Sequence, residues 1–279
     1  MKRGRKSLRQ RMKTKFLASP YIVWMIIFIV IPLTVVAYFA FTDANGQFTL
    51  ANIKEIEAYL PTFADSLWIA AISALLCLLI GYPVAYVIAH ASPAKQRILI
   101  LLIMLPMCMS FLLRTLALVA ILEDTGIINR MLLSLGLKRV TLIRTHGAVI
   151  FGMVYNYLPY MILPLYSVLA KINPRLIEAA QDLGCSGRLV LAKVILPLSV
   201  PGIVSGVTMV FVPAVSTFYI SKKLGGTGTA MIGDIIESQF KASYDLNVGA
   251  AMSLGLMVII FLCMWVMNKF TDSEEVDLI

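Results

Sequence analysis

Six long uncharged runs alternate with short polar segments along the chain. The first lies between Lys15 and Asp43, with Pro20 to Phe41 as its apolar heart, and the second lies between Asp65 and Lys95. The third, Ile98 to Leu122, is interrupted only by Arg114. The fourth lies between Arg144 and Lys171. The fifth lies between Lys193 and Lys222, with its span beginning near Pro201, and the sixth lies between Asp245 and Lys269. A helix needs about 20 apolar residues to cross the hydrocarbon core. The pattern therefore predicts an all-α polytopic membrane bundle of six transmembrane helices, with both ends on one side. The first run is longer than the apolar part of a cleaved leader and no small-residue cleavage site follows it, so it is expected to be a retained span.

Composition agrees with this pattern. Of 279 residues, 59% are hydrophobic and only 14% charged, against roughly a quarter charged in soluble domains. The division expected is a basic cytoplasmic arm (1–19), a transmembrane domain (20–268) and a short cytoplasmic tail (269–279). The net charge of +9 is concentrated at the start, where Lys2, Arg3, Arg5, Lys6, Arg9, Arg11, Lys13 and Lys15 precede the first span. Such a run marks a cytoplasmic end, and nothing else in the chain resembles a reader of nucleic acid. Alternating from that end puts 15 basic residues inside and eight outside. The outer ones are Lys54, Arg130, Lys138, Arg139, Arg144, Lys222, Lys223 and Lys241. The bias supports both ends inside, in a multi-pass membrane protein.

Several spans contain prolines: Pro32, Pro83, Pro106, Pro159, Pro164 and Pro213. Proline lacks an N–H and crowds the preceding turn, so these residues either shape the helices or open a central pathway by bending them. Cys77, Cys108, Cys185 and Cys263 form no CxxC pair, and neither a disulfide nor a metal site is expected. GxxxxGK[ST], HExxH and GxSxG are absent, so the chain is expected to be no enzyme and to hold no nucleotide through a P-loop.

The segment 173–200 is too polar to lie in lipid. Asn173 suits an N-cap and Pro174 the first helical position. Gly184 suits a stop after a first short helix. Ser186 suits the cap of a second, Gly187 to Ile195, which Pro197 and Pro201 are expected to separate from the fifth span. Within it stand Glu178-Ala179-Ala180, Asp182, Gly184, Val194 and Leu196-Pro197. This resembles the EAA loop of permease subunits in bacterial ATP-binding cassette (ABC) importers, with Val194 where isoleucine is usual. The resemblance implies the importer permease (MetI-like) fold and a loop that docks on a separate ATPase.

Further stretches resemble the PotB-type permeases of spermidine/putrescine importers. They are Gly81 to Tyr86, Leu105-Pro106, Arg114-Thr115, Leu158-Pro159, Pro164 to Ser167, Pro201-Gly202-Ile203, Val212-Pro213-Ala214, Phe218-Tyr219, Gly225-Gly226 and Ile232-Gly233. The aromatic usual after the Arg-Thr pair is absent, with Leu118 nearby. The resemblance implies a polyamine path shared with a homologous second permease (PotC-like), two ATPase subunits (PotA-like) carrying ATP and Mg, and an extracytoplasmic binding protein (PotD-like). Related permeases for sulfate, molybdate, iron or amino acids share the loop. A channel or assembly scaffold is the reading of another class, and neither requires an EAA loop.

For a polycation, suitable path groups are carboxylates and aromatic faces. Tyr155, Tyr157, Tyr160, Tyr166 and Tyr219 are candidates, the alternative being interfacial anchoring. Glu123, Asp124, Asp234 and Glu237 would attract a cation at the outer face, or be simply solvated. Arg114, inside a span, calls for a partner. A structural pairing with Glu123, Asp124 or backbone carbonyls is expected, whereas an anion importer would use it as a substrate contact.

Overall fold

A computed structural model describes residues 20–43, 45–226, 228–243 and 245–276, with side chains except at 268 and 270–276. The basic arm (1–19) and residues 277–279 of the tail lie outside the described residues. Apart from one isolated antiparallel bridge, Thr42 to Phe48, the regular structure of the described residues is helical.

Among the described residues, five helices are long and apolar enough to cross a membrane: Pro20–Ala40, Ala51–Ala89, His146–Leu169, Gly187–Val215 and Leu246–Met267. The third run forms no straight span. Pro93–Cys108 and Phe111–Ser134 meet at 89°. Pro106 sits in a 3-10 turn, Leu105–Cys108, and Met109 and Ser110 then take extended backbone. A helix losing a donor at a proline has the least to lose by breaking there.

Two other prolines are handled differently. A π-helical turn, Ile26–Val30, closes with the Ile31 N–H donating to the Ile26 carbonyl. A second, Leu191–Ile195, closes with Leu196 donating to Leu191. Each ends two residues before a proline, Pro32 or Pro197. The widened turn redirects the carbonyl that the proline leaves without a donor, so the helix continues. The expected separation of the second short loop helix from the fifth span is therefore not formed: Gly187–Val215 is one 29-residue helix, running through Pro197, Pro201 and Pro213.

The chain divides into two units. In residues 59–238 with 256–279, the fourth span (His146–Leu169) is the centre. Its apolar window is 61% buried, against 33% for the second and fifth, and it packs against both. Small residues allow the approach. A Cβ at Gly81 in the second span would lie 3.1 Å from Met161 Cγ, and one at Gly206 in the fifth 2.7 Å from Met161 Sδ. Gly202, four residues earlier, similarly faces Val168. Polar ties are few: Tyr82 and Ser199 hydroxyls share a 3.0 Å hydrogen bond, and Ser66 accepts from the Ile232 N–H at 2.8 Å. Outward positions such as Leu79, Val87, Leu101 and Leu113 are exposed, as lipid-facing residues are. In the other unit, 1–58 with 239–255, Ala40, Ala250 and Ala251 form a small core. There Asn52 Nδ2 donates to the carbonyls of Ala40 and Thr42, and Asn247 Nδ2 to those of Phe39 and Thr42.

Candidate coupling elbow and transport site

The elbow forms as its sequence predicts at the first helix. Asn173 accepts from the Arg175 N–H at 3.1 Å and caps Pro174–Asp182. Gly184 takes φ +84°, donating to Gln181 O at 2.8 Å, while the Cys185 N–H reaches Ala180 O at 3.1 Å. These two bonds are a Schellman stop, which needs the left-handed residue that glycine supplies at least cost. Ser186 stands at the start of the second helix with extended backbone, but its hydroxyl accepts no capping bond; its carbonyl accepts from Leu189 and Val190 instead.

Glu178, Ala179, Asp182 and Gly184 are exposed, as is Leu196, while Ala180, Val194 and Pro197 are half-buried. Leu183, which the sequence reading did not single out, is 87% exposed, the barest large apolar side chain among the described residues. Leu176, on the same short helix, is exposed as well.

A second constellation lies among the third, fourth and fifth spans. Phe111 stacks on Tyr157 with ring centroids 6.5 Å apart and lies 6.1 Å from Tyr219. Tyr157 meets Tyr160 edge-on at 6.4 Å and donates to Pro213 O at 3.4 Å. Three of the five candidate tyrosines are thus brought together, Tyr157 and Tyr219 through Phe111 and Tyr160 through Tyr157; the part of Phe111 has no local signal in the sequence. The other two stand apart: Tyr155 is exposed, and Tyr166 donates to Gln96 Oε1 at 3.3 Å.

Arg114 is buried, only 5% exposed, and interacts electrostatically with Tyr157. The expected pairing with Glu123 or Asp124 is not formed. Those residues are exposed, and nine residues of helix set Glu123 about 13 Å further along the axis. Arg114 Nε and Nη1 are buried without a hydrogen-bond partner among the described residues.

The other two acids are engaged locally. Asp234 Oδ2 accepts from the Met231 N–H at 2.9 Å, at the start of Ile232–Ser238, and Glu237 pairs with Lys222 at 3.2 Å. Beside them opens a cavity of about 950 Å³, lined by Arg144, His146, Lys222, Gly225, Gly226 and Asp234 among others. Burial pushes the Asp234 carboxyl above its usual range; the Met231 and Ser221 hydrogen bonds oppose this, Glu237 adds to it and Lys222 opposes it. The native state then holds this proton more tightly than the unfolded chain. The contribution is intact below the ordinary aspartate pKa and is lost as pH rises through the raised native value. Melting of the purified subunit is expected to fall more steeply, as pH rises above about 4, for wild type than for Asp234→Asn; parallel curves would contradict this.

Residues 79–273 match the family described as the binding-protein-dependent transport system inner membrane component. The spermidine/putrescine transport system permease protein PotB of Haemophilus influenzae is 37% identical over 253 residues, 87% of this chain and 88% of that protein. The PotB protein of Escherichia coli K12 is 34% identical over 268 residues, 90% of this chain and 98% of that one. Among solved structures, a bacterial ABC transporter involved in alginate import superposes with a TM-score of 0.82 at 18% identity, covering 98% of this chain and 99% of its own. The MetNI methionine ABC transporter gives 0.61 at 16% identity over 79% of this chain and 98% of its own. The elbow, the central fourth span and the cavity all fall within the matched stretch, and the chain belongs to the binding-protein-dependent transport system inner membrane component family, with the fold of ABC importer permeases.

Proposed function

We propose that this subunit forms, with a second permease, the membrane path of a polyamine importer. A separate ATPase drives it through the elbow 173–200, and an extracytoplasmic binding protein feeds it. Both ends of the chain face the cytoplasm. ATP and Mg belong to the ATPase. The observation that carries the reading is mechanical. A Schellman-capped helix presents Leu183 to solvent, and the helix that follows runs unbroken into the fifth span, so a push on the elbow moves the span without a hinge to absorb it. Alternating access requires such a link between energy source and pathway.

The substrate class follows from the PotB relatives and from the aromatic cluster. Phe111, Tyr160 and Tyr219, which are not buried, offer faces to an alkylammonium chain, at about 0.5–2 kcal/mol for each cation–π contact. Arg114, buried and in electrostatic interaction with Tyr157 alone of these rings, has a structural role. The coupling residues are Glu178, Ala179, Ala180, Asp182, Gly184, Val194, Leu196 and Pro197, with Leu183 as the docking knob.

The test is reconstitution with the cognate ATPase, second permease and binding protein in proteoliposomes. Uptake of radiolabelled spermidine or putrescine is expected, with no uptake of sulfate or amino acids. A Leu183→Cys variant is expected to crosslink to the ATPase. Uptake of sulfate in place of polyamine would overturn the substrate, and failure to crosslink at any elbow position would overturn the coupling.

A further inference from the structure

We infer that Arg114 and the start of the helix it stands on form a seat for a carboxylate side chain of the second permease subunit. The inference rests on the function proposed above and adds the chemistry of one contact between the two permeases.

The third span breaks at its centre. Ser110 stands twelve residues from either end of the apolar run Ile98 to Leu122, and there the chain passes from extended backbone into Phe111–Leu122. The first N–H groups of a helix have no acceptor within it, and the Ser110 hydroxyl accepts none of them. Ser110 is exposed, and so are Met109, Leu112 and Leu113 around it. Lipid cannot cover such a place, because hydrocarbon offers no acceptor to a free N–H. Irregular backbone at that depth is stable only against protein or beside a water-filled path.

Arg114 adds a charge at the same point. Long side chains on a helix lean toward its N-terminus. The Arg114 charge acts on Tyr157, whose ring stacks on Phe111, the first residue of the helix. The guanidinium therefore belongs to the break. It is 5% exposed, and Nε and Nη1 have no hydrogen-bond partner among the described residues. The N-terminus of a helix itself carries about half a positive charge, so two positive features coincide here.

The neighbouring elements supply no counter-charge. The helix packs chiefly against His146–Leu169, Ile127–Ser134 and Tyr219–Leu224. None of these four helices contains an aspartate or glutamate, and Arg130, Lys222 and Lys223 on them are basic. Glu123 and Asp124 follow the helix at its far end and are exposed. Glu237 is paired with Lys222. The charges that act on Asp234 are Glu237 and Lys222, and Arg114 is not among them.

The occupant of the seat must therefore come from outside this chain, accept hydrogen bonds and carry negative charge. A polyamine has the wrong sign. A lipid phosphate belongs to the headgroup layer and not to the middle of a span. A carboxylate on a neighbouring chain pairs with a guanidinium through two parallel bonds. Being tethered, it is held close without the loss of freedom that a dissolved ion undergoes. Charges inside membranes are found paired with one another in this way. The path runs between two permeases, so the second is the chain that meets the exposed break at Met109 and Ser110.

Uptake of radiolabelled spermidine by the complete importer in proteoliposomes tests this, normalised to the amount of assembled complex. Arg114→Met keeps an unbranched apolar side chain and removes the charge, stranding the partner's carboxylate, and uptake is expected to fall at least about tenfold. Each aspartate and glutamate in the spans of the second permease is then changed to its amide, in both backgrounds. At one position the amide is expected to lower uptake of the otherwise wild-type importer about tenfold. The same amide is expected to restore Arg114→Met to within about threefold of wild type, since removing both charges leaves neither stranded. Where Arg114→Met prevents assembly, the yield of complex is read in the same way. Losses that multiply at every position overturn the seat, as does uptake by Arg114→Met within about twofold of wild type. Wild-type uptake that falls when chloride is replaced by gluconate, with Arg114→Met indifferent to the exchange, assigns the guanidinium to a dissolved anion and overturns it equally. Absence of uptake by the wild-type assembly is a failure of the importer reading itself.

Discussion

Gly184→Pro is expected to abolish spermidine uptake, to below about a tenth of wild type, while the subunit still inserts in the membrane at normal levels. Proline fixes φ near −65°, and position 184 requires +84°. The substitution also removes the N–H that donates to Gln181. Together these cost about 3 kcal/mol or more at a single cap, enough to remodel a two-helix elbow whose first helix buries no side chain. The spans are stabilised elsewhere, so the loss falls on coupling: binding-protein-stimulated ATP hydrolysis should disappear together with uptake. Gly184→Asn, which tolerates the left-handed region, should retain most of it, and Gly184→Ala should lie between, at about 1–2 kcal/mol of strain. Normal uptake by Gly184→Pro would mean that the elbow transmits nothing.

The second large effect is expected at Gly206→Leu. A Cβ there meets Met161 Sδ at 2.7 Å and the Met161 carbonyl oxygen at 3.2 Å. The thioether can swing away, but the carbonyl belongs to the central helix and cannot. Overpacking of this kind costs about 1–3 kcal/mol. Lipid offers no hydrophobic term to offset it, because helix association in a bilayer depends on close van der Waals fit. The expected result is a clearly lowered melting temperature in detergent and a reduced yield of assembled complex. Gly206→Ala should do less harm. Met161→Ala combined with Gly206→Leu should recover part of the loss, since neighbours in contact couple by about 0.5–3 kcal/mol. An unchanged melting curve for Gly206→Leu would show that the fourth and fifth spans are not held by this contact.

The elbow shows where local chemistry is enough. Asn173, Pro174 and Gly184 each act through the few residues beside them, so the first helix and its stop were readable from order alone. The second helix was misjudged because a proline's effect depends on the turn before it. The π turn at Leu191–Ile195 keeps the helix intact through Pro197, whereas Pro106 ends one. The tyrosines show the complementary case. Tyr157, Tyr160 and Tyr219 were legible as aromatic residues in spans, but Phe111, which links Tyr157 to Tyr219, is one phenylalanine among thirteen in a hydrophobic chain. Asp234 and Glu237 were legible as charges, and only the structure shows Glu237 paired with Lys222 and Asp234 held by the Met231 N–H through Oδ2, with Oδ1 buried and without a hydrogen-bond partner among the described residues.

The sequence by itself determined the apolar runs, the helical class, the capped elbow and the family. These depend on composition, period and short fixed spacing, which survive without knowledge of neighbours. The tertiary structure alone decided that the fourth span is central and that the third is broken at 89°. It alone showed Arg114 buried without a carboxylate partner among the described residues, and Arg144 at a positive φ of 63° on the lining of a cavity. Each of those outcomes is set by which residues far apart in the chain meet, and the pattern along a strand of residues carries no term for that.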